Sequence, residues 1–363
     1  TGREPKLASS ALVNSLLRRC AEDAGEAGSD NFLQSEWHHV VDAWQITDVE
    51  TYGSIPRMGR KTRLSASRRA ALWPIFERVR QELGQRALMT EASLFSAVTQ
   101  AWQNRREKPF DHIVVDEAQD LGVPELRMLA AIAPEGEDAL FFAGDLGQRI
   151  FQQPFSWRGL GVDVRGRSST LRVNYRTSHQ IRRAADRLLP EALRDTDGLE
   201  DDRRGIVSVF EGVEPQIVLA KSEADEIASI AAFLTEQVTA GTAPAEIGLF
   251  VRDNAQRSRA LAAVAAAGLS VADPGDAERQ GPVVDTMHLA KGLEFRTVVV
   301  LGCDEDALPS VERLSSVADE FELDEVMATE RQLLYVACTR ARDHLLVSGI
   351  SPGSVFIEEL VGS

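Results

Sequence analysis

Cysteine is scarce in this chain of 363 residues, and its three cysteines, Cys20, Cys303 and Cys338, lie far apart. An odd number at such distances forms neither a disulfide framework nor a zinc site, which is typical of proteins in a reducing compartment. No apolar run approaches the ~20 residues of a membrane-spanning helix, and no secretory signal peptide can be recognised. We therefore expect a cytoplasmic protein that has no membrane partner.

The chain also has fewer positive than negative charges. Its 40 basic and 56 acidic residues give a formal net charge of -16. This balance disfavours a protein that coats nucleic acid. A narrow basic track is still compatible with an acidic body, since the local potential decides binding. The most basic stretch, residues 57–69 (RMGRKTRLSASRR), suits either a solvated loop and helix face or a contact with a nucleic-acid backbone.

The apolar content of 44% is typical of globular proteins, and the length suffices for two domains. Residues 1–20 have the spacing of one amphipathic helix, and residues 32–95 hold three of the five tryptophans, so we expect a small helical core in residues 32–95. Beyond them, helices are predicted at 91–103, 124–133, 183–193, 223–238, 255–267 and 329–340. Strands are predicted at 113–115, 139–143, 169–173, 206–210, 217–220, 247–251, 282–287, 297–301 and 344–347. This alternation predicts parallel sheets with right-handed crossovers.

Two carboxylates follow the β-branched run Ile113–Val115 without a gap. Ligands of open parallel sheets bind just beyond the carboxyl ends of the strands, which places Asp116 and Glu117 at such a site. Aspartate oxygens suit Mg²⁺, and a neighbouring glutamate can orient or deprotonate the water that attacks a phosphoryl group. Taken alone, the pair could equally be a solvated acidic turn.

Several blocks together resemble the UvrD/Rep/PcrA-like group of superfamily 1 helicases. They are VDEAQD (115–120), GDLGQRIF (144–151), WRG (157–159), NYRTS (174–178), DTMHLAKGLEF (285–295) and ERQLLYVACTRAR (330–342). The resemblance implies an α/β fold with two RecA-like parallel-sheet domains, which form a P-loop NTPase helicase core with ATP between them. It also implies movement along single-stranded DNA from 3′ to 5′.

The resemblance assigns catalytic roles to five residues. Asp116 would hold Mg²⁺, and Glu117, at the same metal site, would be the catalytic base. Gln148 would couple the nucleotide to the nucleic acid, because an amide both donates and accepts hydrogen bonds. Arg176 would reach the γ-phosphate and Arg340 would act as an arginine finger, as a planar charged fork suits phosphate oxygens. A surface glutamine and a helix-end arginine facing the helix dipole are the alternatives for Gln148 and Arg340.

Other residues are assigned to the cofactor and the nucleic acid by the same resemblance. Tyr175 would stack on adenine, while Gly292 and Glu294 would contact the nucleotide, with Glu294 at the ribose. The residues assigned to single-stranded DNA are Phe151, Trp157, Arg158, Thr286 and His288. Aromatic side chains stack on bases with little regard to sequence, although core packing is the competing interpretation for the phenylalanine and a structural role for the histidine.

Two features of the family are absent from these 363 residues. No G-x-x-x-x-G-K-[ST] loop occurs, and Met58–Thr62 has the Lys-Thr pair with the wrong glycine spacing. The connection between residues 268 and 285 leaves no room for the large 2B insertion. Because residue 1 is not methionine, we expect the phosphate-binding segment upstream, with a naturally degenerate ATPase as the alternative.

The sequence therefore predicts three regions. Residues 1–95 are the remnant of the first RecA-like domain with a helical 1B-like insertion, residues 96–173 complete that domain, and residues 174–363 form the second. The expected function of the intact parent is an ATP-dependent DNA helicase or translocase that uses ATP and Mg²⁺. The alternative is a non-catalytic, helicase-derived module that binds nucleic acid or a protein partner. RNA as the substrate and the oligomeric state are left open.

Overall fold

A computed structural model describes residues 6–26, 30–55, 64–136, 138–150, 155–190, 192–194, 197, 200–202, 205–272, 280–315, 317 and 320–362. Phe151 and residues 57–63 of the basic stretch lie outside the described residues. The chain forms two compact units, residues 1–168 with 194–199 and residues 169–193 with 200–363. Among the described residues, no helix has both the length and the apolar character needed to span a membrane.

The first unit is mainly helical, with four short strands. Its helices are α1 (Ser10–Asp23), α2 (Asp30–Glu36), α3 (Val49–Ser54), α4 (Ala66–Gln85), α5 (Glu91–Trp102) and α6 (Val123–Ile132). Its strands are β1 (Lys6–Leu7), β2 (Leu88–Met89), β3 (Ile113–Val115) and β4 (Leu140–Phe142), which pair in parallel as β1 with β2 and β3 with β4.

One apolar core holds the helices of residues 6–89 together. Helix α1 begins after Ser9, whose hydroxyl accepts a hydrogen bond from the Leu12 N–H at 3.3 Å and so satisfies one of the free amides at the helix start. The buried Tyr52 hydroxyl donates to Glu36 Oε1 at 2.8 Å, which gives that buried carboxylate a partner. The helical core predicted for residues 32–95 is thus present, and helix α1 also contributes to it; its buried members include Val13, Leu16, Leu17, Trp37, Leu72, Phe76 and Val79.

Strands β3 and β4 place their carboxyl ends side by side. Val114 pairs with Phe141 across the two strands, and these side chains are 72% and 61% exposed. Strands of parallel sheets are normally covered on both faces, and their apolar sequences reflect this. This two-stranded sheet therefore presents an apolar face to solvent, and it also positions the polar residues that follow each strand.

The strands of the second unit are β5 (Val173–Asn174), β7 (Glu200–Asp202), β8 (Val207–Ser208), β9 (Gln216–Ala220), β10 (Ile247–Val251), β11 (Val283–Thr286), β12 (Phe295–Val300) and β13 (Ala341–Ile350), and β6 (Ala192–Arg194) pairs with β7. Five of them form a parallel sheet in the order β11-β10-β12-β13-β9. Its helices are α7 (His179–Asp186), α8 (Glu223–Thr239), α9 (Arg257–Ala266), α10 (Val311–Ser315), α11 (Glu320–Cys338) and α12 (Val355–Val361).

Strand β10 lies inside this sheet and is buried on both faces. Ile247, Leu249 and Val251 pack with the apolar faces of α8 and α9. On the other face, a Cβ added to Gly248 would lie 2.8 Å from the Phe295 ring, so glycine is needed for that ring to pack against the sheet. This packing fixes the start of β12, which directly follows Glu294.

Most predicted elements are present, and the differences have local causes. The predicted strand 169–173 is too long at its start: Val173–Asn174 pairs with β8, the Arg172 carbonyl accepts from the Val207 N–H at 2.8 Å, and Leu171 is exposed. The ladder begins there because β8 begins at Val207, two residues after Gly205, whose left-handed φ of 73° belongs to a turn. The predicted helix 183–193 instead spans His179–Asp186, and Pro190 is incompatible with its continuation. Helix α11 begins nine residues before the prediction.

Candidate functional site

The carboxylates predicted to serve catalysis lie where β3 ends. Asp116 is exposed and Glu117 is half-buried, and the Glu117 N–H donates to Asp116 Oδ1 at 2.8 Å. Glu117 has a left-handed backbone with φ of 51°, which costs a residue with a Cβ about 1–3 kcal/mol. Strained backbone conformations of this kind are concentrated at functional sites. The left-handed conformation turns the chain sharply after β3, directly after Asp116, the candidate metal ligand.

Gln119 links the end of β3 to the end of β4. No role was predicted for it. Its amide Nε2 donates to Glu117 Oε2, while its Oε1 accepts a hydrogen bond from the Asp145 N–H at 2.9 Å. Gln119 is buried, so both halves of its amide need partners. Two features of the sequence could have indicated a role for Gln119. Its amide follows Glu117 by two residues, and the next predicted strand ends in the Gly-Asp pair to which that amide could bond.

Asp145 continues the chain of hydrogen bonds to the predicted coupling residue. Its Oδ1 accepts from the Gly147 N–H at 2.8 Å, which caps a short 3₁₀ turn, and its Oδ2 accepts from Gln148 Nε2 at 2.9 Å. Glu117, Gln119, Asp145 and Gln148 are thus linked in one polar network within the first unit. A network of this kind can transmit a displacement of the Glu117 carboxylate to the Gln148 amide.

Replacing Gly144 by alanine is expected to disrupt this network. An added Cβ would lie 2.4 Å from Gln119 Oε1 and 3.2 Å from the Ala118 amide nitrogen, so the Gln119 amide would have to leave Asp145. We expect a loss of about 1–3 kcal/mol in the free energy of unfolding, measured by urea denaturation. Gly84→Ala is the matched control, because helix α4 has open space at that position and alanine is favoured there by about 0.5–1 kcal/mol. Equal effects of the two substitutions would contradict the assignment.

The aromatic turn predicted to contact bases is anchored by Asp197. Asp197 Oδ1 accepts from the Ser156 hydroxyl at 2.5 Å and Oδ2 accepts from the Arg158 N–H at 3.0 Å. Trp157 packs edge-on against Phe142 of β4, with 4.8 Å between the ring centroids, and it remains half-buried. Arg158 is exposed. The turn therefore keeps one aromatic ring beside β4 while presenting a guanidinium to solvent.

In the second unit, the residues predicted to bind nucleotide converge. Asn174 Oδ1 accepts hydrogen bonds from the N–H groups of Arg176 and Thr177 at 2.8 and 3.2 Å, which folds NYRT into a tight turn. That turn leaves the Tyr175 ring exposed. Arg176 Nη2 lies 2.6 Å from Glu294 Oε1, so side chains from two separate sequence blocks reach the same point.

The block 285–295 forms the end of β11, a 3₁₀ turn and the start of β12. The Thr286 N–H donates to Asp285 Oδ1 at 2.8 Å, and Gly292 has φ of 77°, a conformation that favours glycine. His288 is half-buried in the 3₁₀ turn, and burial is the main reason why its pKa is below the ordinary value. A neutral imidazole can donate or accept a hydrogen bond but adds no charge.

Arg340 has surroundings that the sequence did not indicate. Its side chain is 1% exposed; Nε donates to the Val336 carbonyl at 3.0 Å and Nη1 to the Leu293 carbonyl at 3.4 Å. The Arg340 carbonyl also accepts from the Phe295 N–H at 3.0 Å. In this position the guanidinium braces the loop before Glu294, and its role as an arginine finger stays a prediction.

The donor set after β3 fits the chemistry of Mg²⁺. No group of three or more His, Cys, Asp or Glu side chains suited to a metal occurs in the parts of the chain that the structure describes. Mg²⁺ does not require one, because proteins usually hold it through one or two carboxylates together with water and substrate phosphates. Asp116 and Glu117 supply two such carboxylates at an exposed strand end.

Parallel strands whose carboxyl ends carry polar side chains define an α/β protein. Comparison with known families makes the class specific. The UvrD/REP helicase N-terminal domain matches residues 18–162, and the UvrD-like helicase C-terminal domain matches residues 264–351. Together the two matches span more than half of the chain, which belongs to the UvrD-like helicase family.

Two named relatives agree with this family. The ATP-dependent DNA helicase PcrA of Staphylococcus epidermidis is 38% identical over 87 residues, which are 24% of this chain and 11% of that protein. A "Probable DNA helicase" of Mycoplasma pneumoniae is 25% identical over 254 residues, covering 66% of this chain and 44% of that protein. A solved structure, the C-terminal domain of a possible DNA helicase from Lactobacillus plantarum, is 20% identical with a TM-score of 0.36 and covers 52% of this chain and 94% of that one. The chain spans less than half the length of the two named proteins.

Proposed function

We propose that the full-length protein containing this chain is an ATP-dependent DNA helicase or translocase that moves along single-stranded DNA. The observation that carries the proposal is the hydrogen-bonded network from Glu117 through Gln119 and Asp145 to Gln148. It connects the candidate catalytic base with the candidate coupling amide through three hydrogen bonds and two intermediate residues. Hydrolysis linked to movement requires such a connection, since a nucleotide-dependent change must bias a second site.

Each group has a defined chemical task in this proposal. Asp116, with Glu117, would hold Mg²⁺, which when bound would neutralise phosphate charge. Glu117 orients and deprotonates the attacking water. Arg176 contacts the phosphates, and Glu294, which lies 2.6 Å from it, binds the ribose. Tyr175 supplies an exposed ring for the adenine, as the relatives' ATP dependence suggests for this family.

The nucleic-acid side of the proposal uses exposed or half-buried groups. Trp157 and Arg158 lie on the turn that Asp197 anchors, and Thr286 and His288 lie at the end of β11 and in the turn after it. Base stacking contributes about 1–3 kcal/mol per base, and it suits a motor because every base offers a ring face. Phe151 is assigned to single-stranded DNA on its sequence position alone.

A phosphate-binding loop is required as well, and none occurs in residues 1–363. The exposed apolar pair Val114 and Phe141 supports the proposal that the β3–β4 sheet is completed by further strands and helices of the full-length protein. Such a segment would bring the loop to the edge of the sheet where Asp116 and Glu117 lie. The competing proposal, a non-catalytic binding module, needs no such loop.

ATP hydrolysis by the full-length protein, measured with and without single-stranded DNA, tests the function. We expect DNA to stimulate hydrolysis, and we expect the 363-residue chain alone to be inactive, because it has no phosphate-binding loop. Parallel assays with single-stranded RNA and duplex DNA distinguish the nucleic-acid substrate. A full-length protein that binds single-stranded DNA without hydrolysing ATP would establish the binding module instead.

A further inference from the structure

A buried carboxylate in the second unit holds two arginines. Glu330 of α11 is fully buried, and Arg252, which directly follows β10, is 6% exposed. Arg252 donates Nε to Glu330 Oε2 at 2.5 Å and Nη2 to Oε1 at 2.6 Å, a bidentate pair. Arg313 of α10 donates Nη1 to Oε1 at 2.9 Å. One carboxylate therefore joins the end of a central strand to two helices; we call these three residues the Glu330 cluster.

The Glu330 cluster lies beside the turn that the proposed function assigns to nucleic acid. Helix α11 packs against the 3₁₀ turn Met287–Ala290, in which Met287 and Ala290 are fully buried and His288 is half-buried. Burial lowers the pKa of His288; the charge of Arg252 lowers it further, Glu330 opposes this, and Arg313 adds a smaller lowering. The histidine thus lies within the electrostatic field of all three cluster residues.

We propose that Glu330, acting through Arg252 and Arg313, is a positioning residue that holds the turn Met287–Ala290 for contact with single-stranded nucleic acid. This inference rests on the proposed function of the same turn. A buried ion pair is weak evidence for stability, because desolvation offsets much of its Coulomb energy, whereas it can fix one geometry. Two parallel hydrogen bonds from a rigid guanidinium fork fix distance and orientation together.

The charge state of the cluster is consistent with a fixed geometry. Burial alone would raise the pKa of Glu330, but the hydrogen bonds and charge of Arg252, and then those of Arg313, lower it below its ordinary value. Glu330 therefore remains ionised at neutral pH, and both arginines keep their partner. The Ser310 N–H also points at Glu330 Oε2, at 3.4 Å, so the segment before α10 is held by the same carboxylate.

Glu330→Gln in the full-length protein is the first test, because glutamine keeps the shape and removes the charge. We expect the concentration of oligo(dT) for half-maximal stimulation of ATP hydrolysis to rise about tenfold, as for the loss of one good contact, with the maximal rate unchanged. Glu359→Gln is the matched control: Glu359 makes a bidentate pair at 2.9 Å with Arg331, the next residue of the same helix. This control should leave the half-maximal concentration unchanged.

The double variant Arg252→Met with Glu330→Met tests the same inference if the single variant folds poorly, because apolar replacement of a buried pair is commonly tolerated. NMR of the histidine ring signals, with His288 assigned by the signal that is lost in His288→Gln, gives a readout independent of ATP. The pKa of His288 should fall in Glu330→Gln, which removes a raising influence, and rise in the double variant, which also removes the larger lowering influence of Arg252.

The outcomes separate this inference from the proposed function. Unchanged DNA dependence in folded variants would overturn the positioning role and leave Glu330 as a structural residue, whatever the pKa of His288 does. If the wild-type protein lacks DNA-stimulated hydrolysis, the proposed function fails. In that case oligo(dT) binding, measured by fluorescence anisotropy, together with the His288 signals, still decides whether Glu330 positions the turn.

Discussion

Replacing Glu117 by glutamine in the full-length protein is expected to lower ATP turnover by about 10²–10⁴-fold, the usual contribution of a general base. Glutamine has nearly the same shape as glutamate but cannot accept a proton from water. ATP binding should persist, because the groups assigned to adenine, ribose and phosphate are untouched. Steady-state hydrolysis and equilibrium binding of a labelled nucleotide measure the two properties separately.

The geometry around Glu117 indicates that Glu117→Gln should leave the local structure unchanged. The left-handed backbone at φ of 51° is equally strained for both side chains, and the Glu117 N–H donates to Asp116 in either case. A glutamine amide can still present its oxygen to Gln119 Nε2. We therefore expect the free energy of unfolding to change by less than about 1 kcal/mol, so that lost turnover reports on chemistry.

Glu107→Gln serves as the control for Glu117→Gln. Glu107 is an exposed glutamate ten residues earlier in the same unit, and its loss of charge should leave hydrolysis at the wild-type level. Wild-type turnover in Glu117→Gln would show that another group activates the water, and the assignment of the strand end after β3 would be wrong.

The sequence was informative where one local rule decides the structure. Ile113–Val115 and Ile247–Val251 were predicted from short β-branched or apolar runs bounded by turn residues, and both strands are present with those bounds. The family was also predictable, because its blocks combine residue identity with order and spacing. Both family matches confirm that prediction.

Long-range contacts limited the remaining predictions. No role was predicted for Gln119 because its two partners, Glu117 and Asp145, lie close together only when β3 and β4 are paired. The buried Arg340 side chain donates to the Leu293 carbonyl, 47 residues away in the sequence, and helical periodicity cannot predict such a contact. The predicted strand 169–173 shows the same limit, because only its end pairs with β8, and β propensity cannot indicate where the neighbouring strand begins.

Arg176→Ala is the second substitution with a large expected effect. Arginines that contact the phosphoryl group being transferred contribute about 10³–10⁵ in rate, so we expect turnover to fall about 10³-fold. If Arg176 contacts the γ-phosphate, ATP should bind more weakly while ADP affinity remains unchanged, which isothermal titration calorimetry can measure with both nucleotides.

The structural cost of Arg176→Ala should be small. Arg176 and Glu294 are 48% and 57% exposed, and exposed ion pairs contribute about 0–1 kcal/mol. The Asn174 turn uses the backbone N–H of Arg176, which alanine retains. Arg183→Ala is a close control, because Arg183, on helix α7 directly after this turn, is also an exposed arginine paired with a glutamate, Glu214. Because the two substitutions remove the same charge from similar surroundings, a loss of turnover confined to Arg176 must come from a contact with the nucleotide, and equal losses would refute that contact.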